Sequence, residues 1–260
     1  MIVDKIKKKI NRRLNLIKDK KIKWEINGKL EKIINLTKEE IKEYKEEFDR
    51  SKILEDLQKK LEDFEKNITG KTYRGVDYKS GALSAEKALY IYNILRKTKP
   101  ETVVETGVCN GVSTSFFLLA LHQNEKGKLY SIDFPEIADT EYEPGDFWEG
   151  KGGSVIPKGK QSGWMIPDYL RDRWELTVGK SQEKLPEVLE KLEKIDFFIH
   201  DSEHSYECMW FEFERAYKLL SEGGILMSDD IDRNSSFQDF AKDKKRPLVY
   251  LGSKIAFFVK

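Results

Sequence analysis

Two short acidic segments near the C-terminus carry residue types that could do chemistry. Residues 199–207 read IHDSEHSYE, and further along the chain residues 228–230 read SDD, which includes Asp229 and Asp230. Each segment follows an apolar run, so the carboxylates, Asp201 among them, would lie where two strands end. Close carboxylates raise one another's pKa unless a proton or cation intervenes, and Mg²⁺ prefers oxygen ligands. The three aspartates are candidate metal ligands. The alternative is that Asp201 only closes a pocket and the other two cap a turn.

A histidine near the first aspartate could act as a base. His204 follows Asp201 closely in the chain, after Ser202 and Glu203. The usual pKa of histidine is near neutral, so His204 is the first candidate for a general base. Capping of the following helix is its alternative role. His200 lies inside the apolar run and is predicted to be a core histidine.

A glycine-containing turn forms a second candidate site. Residues 103–114 read VVETGVCNGVST, in which Gly107 and Gly111 permit tight turning before a helix whose first N–H groups are free. The spacing differs from the GxGxxG of dinucleotide-binding turns and lacks the GK[ST] of a P-loop, so the motif alone is weak. Glu105 could accept bonds from a ligand ammonium or from nearby N–H groups. Asp133, which ends the next apolar run, could accept both hydroxyls of a ribose or only cap a turn.

The elements that would position these residues alternate between strands and helices from Ser84, a predicted helix cap, onward. The runs that predict strands are 102–106, 128–133, 174–178, 195–200 and 223–229. Alternating strands and helices predict an α/β fold, with a parallel sheet covered on both faces and ligands at the carboxyl ends of its strands. PLVYL and KIAFFV, joined by Gly252 and Ser253, predict a terminal hairpin with a two-residue turn.

Residues 1–70 are predicted to be a charged helical region and residues 71–260 a separate domain. The segment 1–70 holds 20 Lys/Arg and 15 Asp/Glu, and a capping box at Thr37 and Glu40 begins a helix whose apolar stripe continues to Phe64. An earlier helix is predicted within the segment 1–23, which holds ten Lys/Arg against two Asp. Contact with an anionic membrane surface is one role open to this basic segment. Packing on the second domain, or on another copy in a homo-oligomer, is the other.

Composition excludes several classes of protein. The net charge of +1 removes the general argument for a nucleic-acid partner. Cys109 and Cys208 have no CxxC spacing, which disfavours a disulfide framework or a zinc site and favours a cytoplasmic setting. No run approaches the roughly 18 apolar residues of a membrane span, and the N-terminus has no secretory signal pattern.

From about Ser84 to the C-terminus, the chain resembles class I S-adenosylmethionine-dependent methyltransferases. The matching segments are VVETGVCNG, SID, VGKSQEKLPEVL and IDFFIHDSEHSYE…LLSEGGILMSDDI. The last segment is most similar to small-molecule O-methyltransferases of the catechol and macrolide-sugar type. The resemblance implies a Rossmann-like, seven-stranded, mostly parallel sheet with a C-terminal antiparallel hairpin, preceded here by an N-terminal helical extension.

The resemblance also implies which residues bind the cofactor. They are Glu105, Gly107 and Gly111 at the methionine part, Ser113 at the helix start, Asp133 at the ribose, Ser181 near the adenine, and Asp201 at the pocket edge. The loop departs from the family pattern, which more often has a third glycine where GVCNG has Cys109 and Asn110. The backbone path of this loop is therefore left open.

The catechol-type enzymes take metal ligands from the two strand ends that Asp201, Asp229 and Asp230 match, so the resemblance implies Mg²⁺ assistance. Glu203 is a second candidate base, because some sugar methyltransferases of this group have an acid there. The predicted function is O-methylation of a hydroxylated small molecule or sugar. A NAD- or nucleotide-binding oxidoreductase and a non-catalytic cofactor-binding scaffold are the rival hypotheses.

The segment 134–173 is too long and polar for an ordinary connection. It contains Tyr142, Trp148, Trp164 and Tyr169 among glycines and prolines. Aromatic residues in such a loop predict a lid or a ring-binding wall over the ligand edge of the sheet.

Overall fold

The computed structural model describes residues 26–67, 85–138, 140–149 and 155–260. The predicted helix within residues 1–23, the linker after residue 67 and the predicted cap at Ser84 lie outside the described residues.

Among the residues that the structure describes, four helices precede the sheet. They are α1 (residues 26–34), α2 (Lys38–Arg50), α3 (Ile53–Asn67) and α4 (Ala85–Thr98). The predicted capping box is present, since Glu40 N–H donates to the Thr37 hydroxyl and Thr37 N–H donates to the Glu40 carboxylate. The sequence predicted one helix from Thr37 to Phe64, and this was wrong. The helix stops at Ser51, and Lys52 takes a φ of +58°, outside the helical range.

The remaining elements include the predicted strands and helices, together with two short strands, a 3₁₀ helix and a last α-helix that the sequence analysis did not predict. In chain order they are β1 (Thr102–Thr106), α5 (Val112–Gln123), β2 (Lys128–Asp133), β3 (Glu136–Ile137), β4 (Val155–Ile156), a 3₁₀ helix (Asp168–Arg173), β5 (Trp174–Val178), α6 (Ser181–Leu189), β6 (Ile195–His200), α7 (Tyr206–Leu219), β7 (Leu220–Ser228), α8 (Ser236–Asp243), β8 (Val249–Tyr250) and β9 (Ala256–Val259).

The main sheet has seven strands in the order β5-β2-β1-β6-β7-β9-β8, while β3 and β4 pair separately. The first five strands in that order run parallel, and β9 is antiparallel to both β7 and β8. This confirms the predicted fold class. The hairpin connection is longer than the predicted Gly252-Ser253 turn, because Leu251 N–H donates to Ile255 O at 2.8 Å and the connection therefore also includes Lys254.

Successive strand residues point to opposite faces of the sheet and build two cores. Val103 belongs to the core shared with α1 to α5, whereas Val104 belongs to the core shared with α6, α7 and α8. Phe197 and Phe198 divide in the same way. The sheet is therefore covered on both faces, which leaves its strand ends as the place for a ligand.

The described N-terminal helices pack against α4 and α5. The Phe48 ring lies 5.2 Å from the Tyr92 ring and 5.8 Å from the Phe116 ring. Beside it, the Arg96 guanidinium donates to both oxygens of Glu47, at 2.6 and 2.8 Å, and the Tyr92 hydroxyl donates to the same carboxylate. These helices share one core with the sheet. The domain boundary between residues 70 and 71 stays a prediction.

We expect Glu47→Ala to lower the free energy of unfolding by about 1–3 kcal/mol, because it leaves a partly buried guanidinium and a buried hydroxyl without their acceptor. Denaturant unfolding measures the change. Glu46→Ala, at an exposed neighbouring position of the same helix, is the control and should stay within about 0.5 kcal/mol of wild type. Equal midpoints for the two variants would contradict this role of Glu47.

In the parts of the chain that the structure describes, no helix is both long and apolar enough to cross a lipid bilayer.

Candidate active site

The carboxyl ends of three adjacent strands bring the predicted residues together. Thr106 pairs with His200 across β1 and β6, and His200 pairs with Ser228 across β6 and β7. The residues that follow continue this alignment, since Asp201 N–H donates to Thr106 O at 2.8 Å and Asp229 N–H donates to His200 O at 2.9 Å. The structure therefore places these two aspartates on the same edge of the sheet, beside the glycine turn.

Both glycines of that turn are required by the backbone. Gly107 has a φ of +90°, and a Cβ there would lie 2.0 Å from Asp201 O. Gly111 has a φ of +85°, and its Cβ would lie 2.6 Å from Gly163 Cα. Cys109, which replaces a more usual glycine, still takes a φ of +49°. The backbone path that the sequence left open is thus a left-handed turn at Cys109.

Asp133 holds the same turn from the neighbouring strand. Its carboxylate is buried and accepts the N–H groups of Val108 and Cys109, at 3.0 and 3.1 Å. Burial raises the pKa of Asp133, and hydrogen bonds from the Ser162 side chain and from the backbone N–H groups of Val108, Cys109 and Phe134 oppose the shift. A carboxylate has about four acceptor positions, so ribose hydroxyls would compete with these donors for the Asp133 oxygens.

Glu105 lies deeper, behind the turn. Its carboxylate accepts the hydroxyl of Thr114, at 2.9 Å, and that of Ser131, at 2.7 Å. Burial raises the pKa of Glu105 to about 8, so a nearby cation would favour its ionised form. Glu105 therefore joins β1 to α5 and β2 as well as being a predicted cofactor residue.

The two serines assigned to the cofactor lie at the starts of helices. Gly111 is the N-cap of α5, which puts Ser113 at the second helical position. Ser181 is the first residue of α6, and its buried hydroxyl lies 3.6 Å from Cys208 Sγ. The Ser181 hydroxyl therefore makes its contact with α7.

Part of the long segment after β2 is docked on the glycine turn. Gly163 N–H donates to Cys109 O at 2.8 Å, Met165 N–H donates to Asn110 O at 3.0 Å, and the Trp164 indole N–H donates to Asn110 Oδ1 at 2.5 Å. The ring of Trp164 also lies 4.9 Å from the ring of Phe64, in α3. This part of the segment is fixed between the turn and the N-terminal helices.

The aromatic residues that were predicted to form one ring-binding wall lie in separate parts of the structure. Trp164 lies on the glycine turn, and the Tyr169 ring packs against His122 at 5.8 Å. Phe134, which follows Asp133, forms a cluster with Phe147 and Trp148, with centroid separations of 4.9–6.3 Å. Only this cluster adjoins Asp133 in the chain.

The acidic cluster consists of Asp201, Asp229 and Asp230, of which Asp230 is paired with two cations. Asp230 accepts from Lys254 Nζ at 3.0 Å and from Arg233 Nε at 3.2 Å. These cations, with His204, outweigh burial and hold the pKa of Asp230 below its usual value. By contrast, burial raises the pKa of Asp229, and its Oδ1 has no hydrogen-bond partner. Burial, and then Asp229, raise the pKa of Asp201 well above its usual value.

The predicted magnesium site is not assembled among the described residues, because no group of three His, Cys, Asp or Glu side chains is arranged to hold a metal ion. Asp230 faces the ammonium of Lys254 and the guanidinium of Arg233 instead. Burial raises the pKa of both Asp201 and Asp229, which favours their uncharged forms.

His204 lies at this cluster, whereas Glu203 does not contact it. His204 Nε2 is 3.7 Å from Asp230 Oδ2 and 3.9 Å from Asp201 Oδ1. Burial lowers the pKa of His204 to about 4, so its imidazole is neutral at pH 7 but is a weaker base than an exposed histidine. Glu203 Oε2 lies near the surface, 3.4 Å from Gln182 Nε2. The geometry favours His204 as the base.

His200 is buried, as predicted, but it is also bonded at both ring nitrogens. His200 Nδ1 lies 2.7 Å from Glu212 Oε2, and His200 Nε2 lies 3.2 Å from His204 Nδ1. Sequence reasoning missed Glu212. The sequence did offer one sign of its role, since Glu212 lies on the same face of α7 as the apolar residues Met209 and Phe213. A carboxylate on a buried helix face needs a hydrogen-bonding or charged partner.

Residues 104–231 match the family model described as a methyltransferase domain. The chain contains a methyltransferase domain. The match spans the glycine turn, Asp133 and the acidic cluster. Together with the strand order, it confirms the enzyme class predicted from the motifs, a class I S-adenosylmethionine-dependent methyltransferase.

Solved structures with a similar fold include the S-adenosylhomocysteine-bound methyltransferase PaMTH1 of Podospora anserina and the O-methyltransferase NovP. PaMTH1 is 14% identical, with a TM-score of 0.51 over 78% of this chain and 87% of its own. NovP is also 14% identical, with a TM-score of 0.52 over 67% of this chain and 79% of its own. At these identities the likeness shows the fold alone. No curated protein matches this methyltransferase significantly.

Proposed function

We propose that this methyltransferase transfers the methyl group of S-adenosylmethionine to a hydroxyl group of a small molecule or sugar. The observation that carries the choice of a hydroxyl acceptor is His204, a neutral imidazole whose Nε2 faces the carboxylates at the sheet edge. A hydroxyl is a poor nucleophile until a base takes its proton, and this base is positioned beside the glycine turn. The O-methyltransferase NovP, which has a similar fold, supports the proposal.

The residues at the glycine turn fit the cofactor, since the Asp133 carboxylate lies beside the turn and can accept from ribose hydroxyls. When bound, S-adenosylmethionine supplies a methyl carbon on a positively charged sulfur, which an oxygen can attack in line. Asp133 would accept the ribose hydroxyls, and the cluster of Phe134, Phe147 and Trp148 would cover the adenine side.

His204 performs the proton transfer. Its Nε2 would accept the proton of the acceptor hydroxyl, whose oxygen would take the methyl group that bound S-adenosylmethionine would supply. Holding the two reactants in line and excluding water supply most of the remaining rate enhancement. The segment docked on Cys109 and Asn110 closes one side of the site and serves both purposes.

The experiment is a screen of hydroxylated acceptors, including monosaccharides and catechols, with methyl-labelled S-adenosylmethionine. We expect label on an oxygen of the product, located by mass spectrometry and NMR, and labelling at least about 10²-fold slower with His204→Ala. Label on nitrogen or carbon would contradict the hydroxyl acceptor. Saturable binding of NADH without binding of S-adenosylhomocysteine would favour the oxidoreductase, and cofactor binding without turnover of any acceptor would favour the scaffold.

Magnesium assistance is a separate proposal. The cation would be held by Asp201 and Asp229, with Asp230 joining only if it exchanges its ion pairs with Lys254 and Arg233. The support for it is the unpartnered Oδ1 of Asp229 and the pKa of Asp201, which burial and neighbouring carboxylates raise. Mg²⁺ would lower the pKa of the acceptor hydroxyl.

For magnesium we expect excess EDTA to lower wild-type turnover by at least about 10-fold, with full recovery on adding Mg²⁺. Asp229→Asn keeps the side-chain shape but removes the charge, so its turnover should be low and insensitive to EDTA while S-adenosylhomocysteine still binds. Asp232→Asn, at a nearby exposed position, is the control and should behave as wild type. Wild-type turnover that EDTA leaves unchanged would end the magnesium proposal.

The remaining predictions concern location and partners. They are a cytoplasmic location, no nucleic-acid partner, contact of residues 1–23 with an anionic membrane surface, and a homo-oligomer formed through the N-terminal helices. They stay predictions.

A further inference from the structure

Helix α3 of the N-terminal region packs against the docked segment, by which we mean residues 160–169. The Phe64 ring of α3 lies 4.9 Å from the Trp164 ring, which is within the range of favourable aromatic pairs. The Lys160 ammonium lies over both rings, 5.5 Å from the centre of Phe64 and 5.4 Å from that of Trp164. These three side chains therefore form one contact between α3 and the docked segment.

Two other contacts between α3 and the docked segment are exposed. Lys60 Nζ lies 3.1 Å from Asp168 Oδ1, and the Tyr169 hydroxyl donates to Asp56 Oδ2 at 3.2 Å. Exposed polar pairs contribute little, because water competes for both partners. The aromatic contact is therefore the main link between α3 and the docked segment.

The indole of Trp164 continues this link to the glycine turn. Its N–H donates to Oδ1 of the buried Asn110 at 2.5 Å, and the Asn110 side-chain amide donates to Val155 O at 3.2 Å. The two backbones also touch, since a Cβ on Gly111 would lie 2.6 Å from Gly163 Cα. One side chain, Trp164, thus contacts both α3 and a residue of the glycine turn.

The glycine turn needs such support because of Cys109. Its φ of +49° is in the left-handed region, which a residue with a side chain disfavours and a glycine adopts freely. The N–H groups of Gly163 and Met165 donate to the carbonyls of Cys109 and Asn110, at 2.8 and 3.0 Å. These bonds favour the observed path of the turn, so the docked segment offsets the absence of a glycine at residue 109.

We propose that Phe64 and Trp164 are positioning residues, through which α3 keeps the glycine turn in the conformation that binds S-adenosylmethionine. This rests on the proposed function, in which the turn borders the cofactor. A protein whose binding conformation is only partly populated binds its ligand more weakly, in proportion to that population. Loss of the contact from α3 should therefore weaken cofactor binding.

Calorimetric titration of the 260-residue chain with S-adenosylhomocysteine tests this proposal on two variants. Phe64→Ala removes the ring from α3, whereas Trp164→Phe keeps an aromatic ring but removes the indole N–H. We expect each variant to bind about fivefold or more weakly than wild type. Leu54→Ala, at an exposed leucine of the same helix, is the matched control and should stay within about twofold of wild type.

The affinity separates positioning from a merely structural role, which would lower the midpoint of unfolding but leave binding by the folded protein unchanged. Phe64→Leu keeps an apolar side chain and should recover most of the affinity. In the double variant the losses should not multiply, because both substitutions interrupt one chain of contacts. Wild-type affinity in both single variants, or losses that multiply in the double variant, would overturn the proposal.

Hydrogen exchange of the cofactor-free protein separates this proposal from the proposed function. We expect the amides of Gly163 and Met165, which donate to the turn, to exchange about fivefold or more faster in Phe64→Ala than in wild type, with unchanged rates in β7. Trp164→Phe, a milder change, carries the same test if Phe64→Ala does not fold. Unchanged rates at Gly163 and Met165 would overturn the proposal, whereas failure of the proposed function would show as a wild type that does not bind S-adenosylhomocysteine.

Discussion

His204→Ala is expected to lower kcat by about 10²- to 10⁴-fold, the usual contribution of a positioned general base. The affinity for S-adenosylhomocysteine should stay within about twofold of wild type, because the substitution leaves the glycine turn and Asp133 intact. Single-turnover kinetics with methyl-labelled S-adenosylmethionine measures the chemical step apart from product release.

Two controls make the His204 result specific. His122→Ala removes a histidine that packs against Tyr169, away from the acidic cluster, and should keep wild-type kcat. Glu203→Gln removes the second candidate base, which lies near Gln182, and should also keep it. A large loss in Glu203→Gln with wild-type kcat in His204→Ala would assign the base to Glu203 and contradict the geometry.

Asp133→Ala is expected to weaken binding of S-adenosylhomocysteine by about 100-fold or more. Hydrogen bonds to a charged group contribute about 1.5–3 kcal/mol each, and two of them to a ribose account for such a loss. The same substitution frees the N–H groups of Val108 and Cys109, which shape the turn. Isothermal titration calorimetry measures the affinity.

Two further variants complete the titration experiment: Asp133→Asn is an intermediate substitution, and Glu175→Gln is the control. The asparagine keeps one acceptor oxygen, so its loss of affinity should lie between those of wild type and Asp133→Ala. Glu175, an acid on the neighbouring strand that pairs with Lys128 at its surface, should be neutral for cofactor binding. Wild-type affinity in Asp133→Ala would mean that Asp133 serves only to hold the turn.

The strands could be predicted because local pattern alone determines them. Short apolar runs between turn signals placed β1, β2, β5 and β6 at the residues where the structure has them. The break between α2 and α3 could not be predicted, because the apolar stripe continues through Lys52 and no glycine or proline marks the end. There the packing of Phe48 on α4 and α5 decides the path.

The candidate site likewise has features that the sequence could predict and features that it could not. The positions of Asp201 and Asp229 follow from strand ends, which a sequence shows. The ion pair of Asp230 with Lys254 and the bond from Trp164 to Asn110 both join residues that are far apart in the chain. Nothing local encodes such contacts, so the neutralised Asp230 and the docked segment needed the structure.

Calorimetric titration of the 260-residue chain with S-adenosylhomocysteine, repeated with NADH, tests the central claim most directly. The account predicts saturable binding of S-adenosylhomocysteine at one molecule per chain, weakened in Asp133→Ala, and no binding of NADH. Saturable binding of NADH with none of S-adenosylhomocysteine would contradict it.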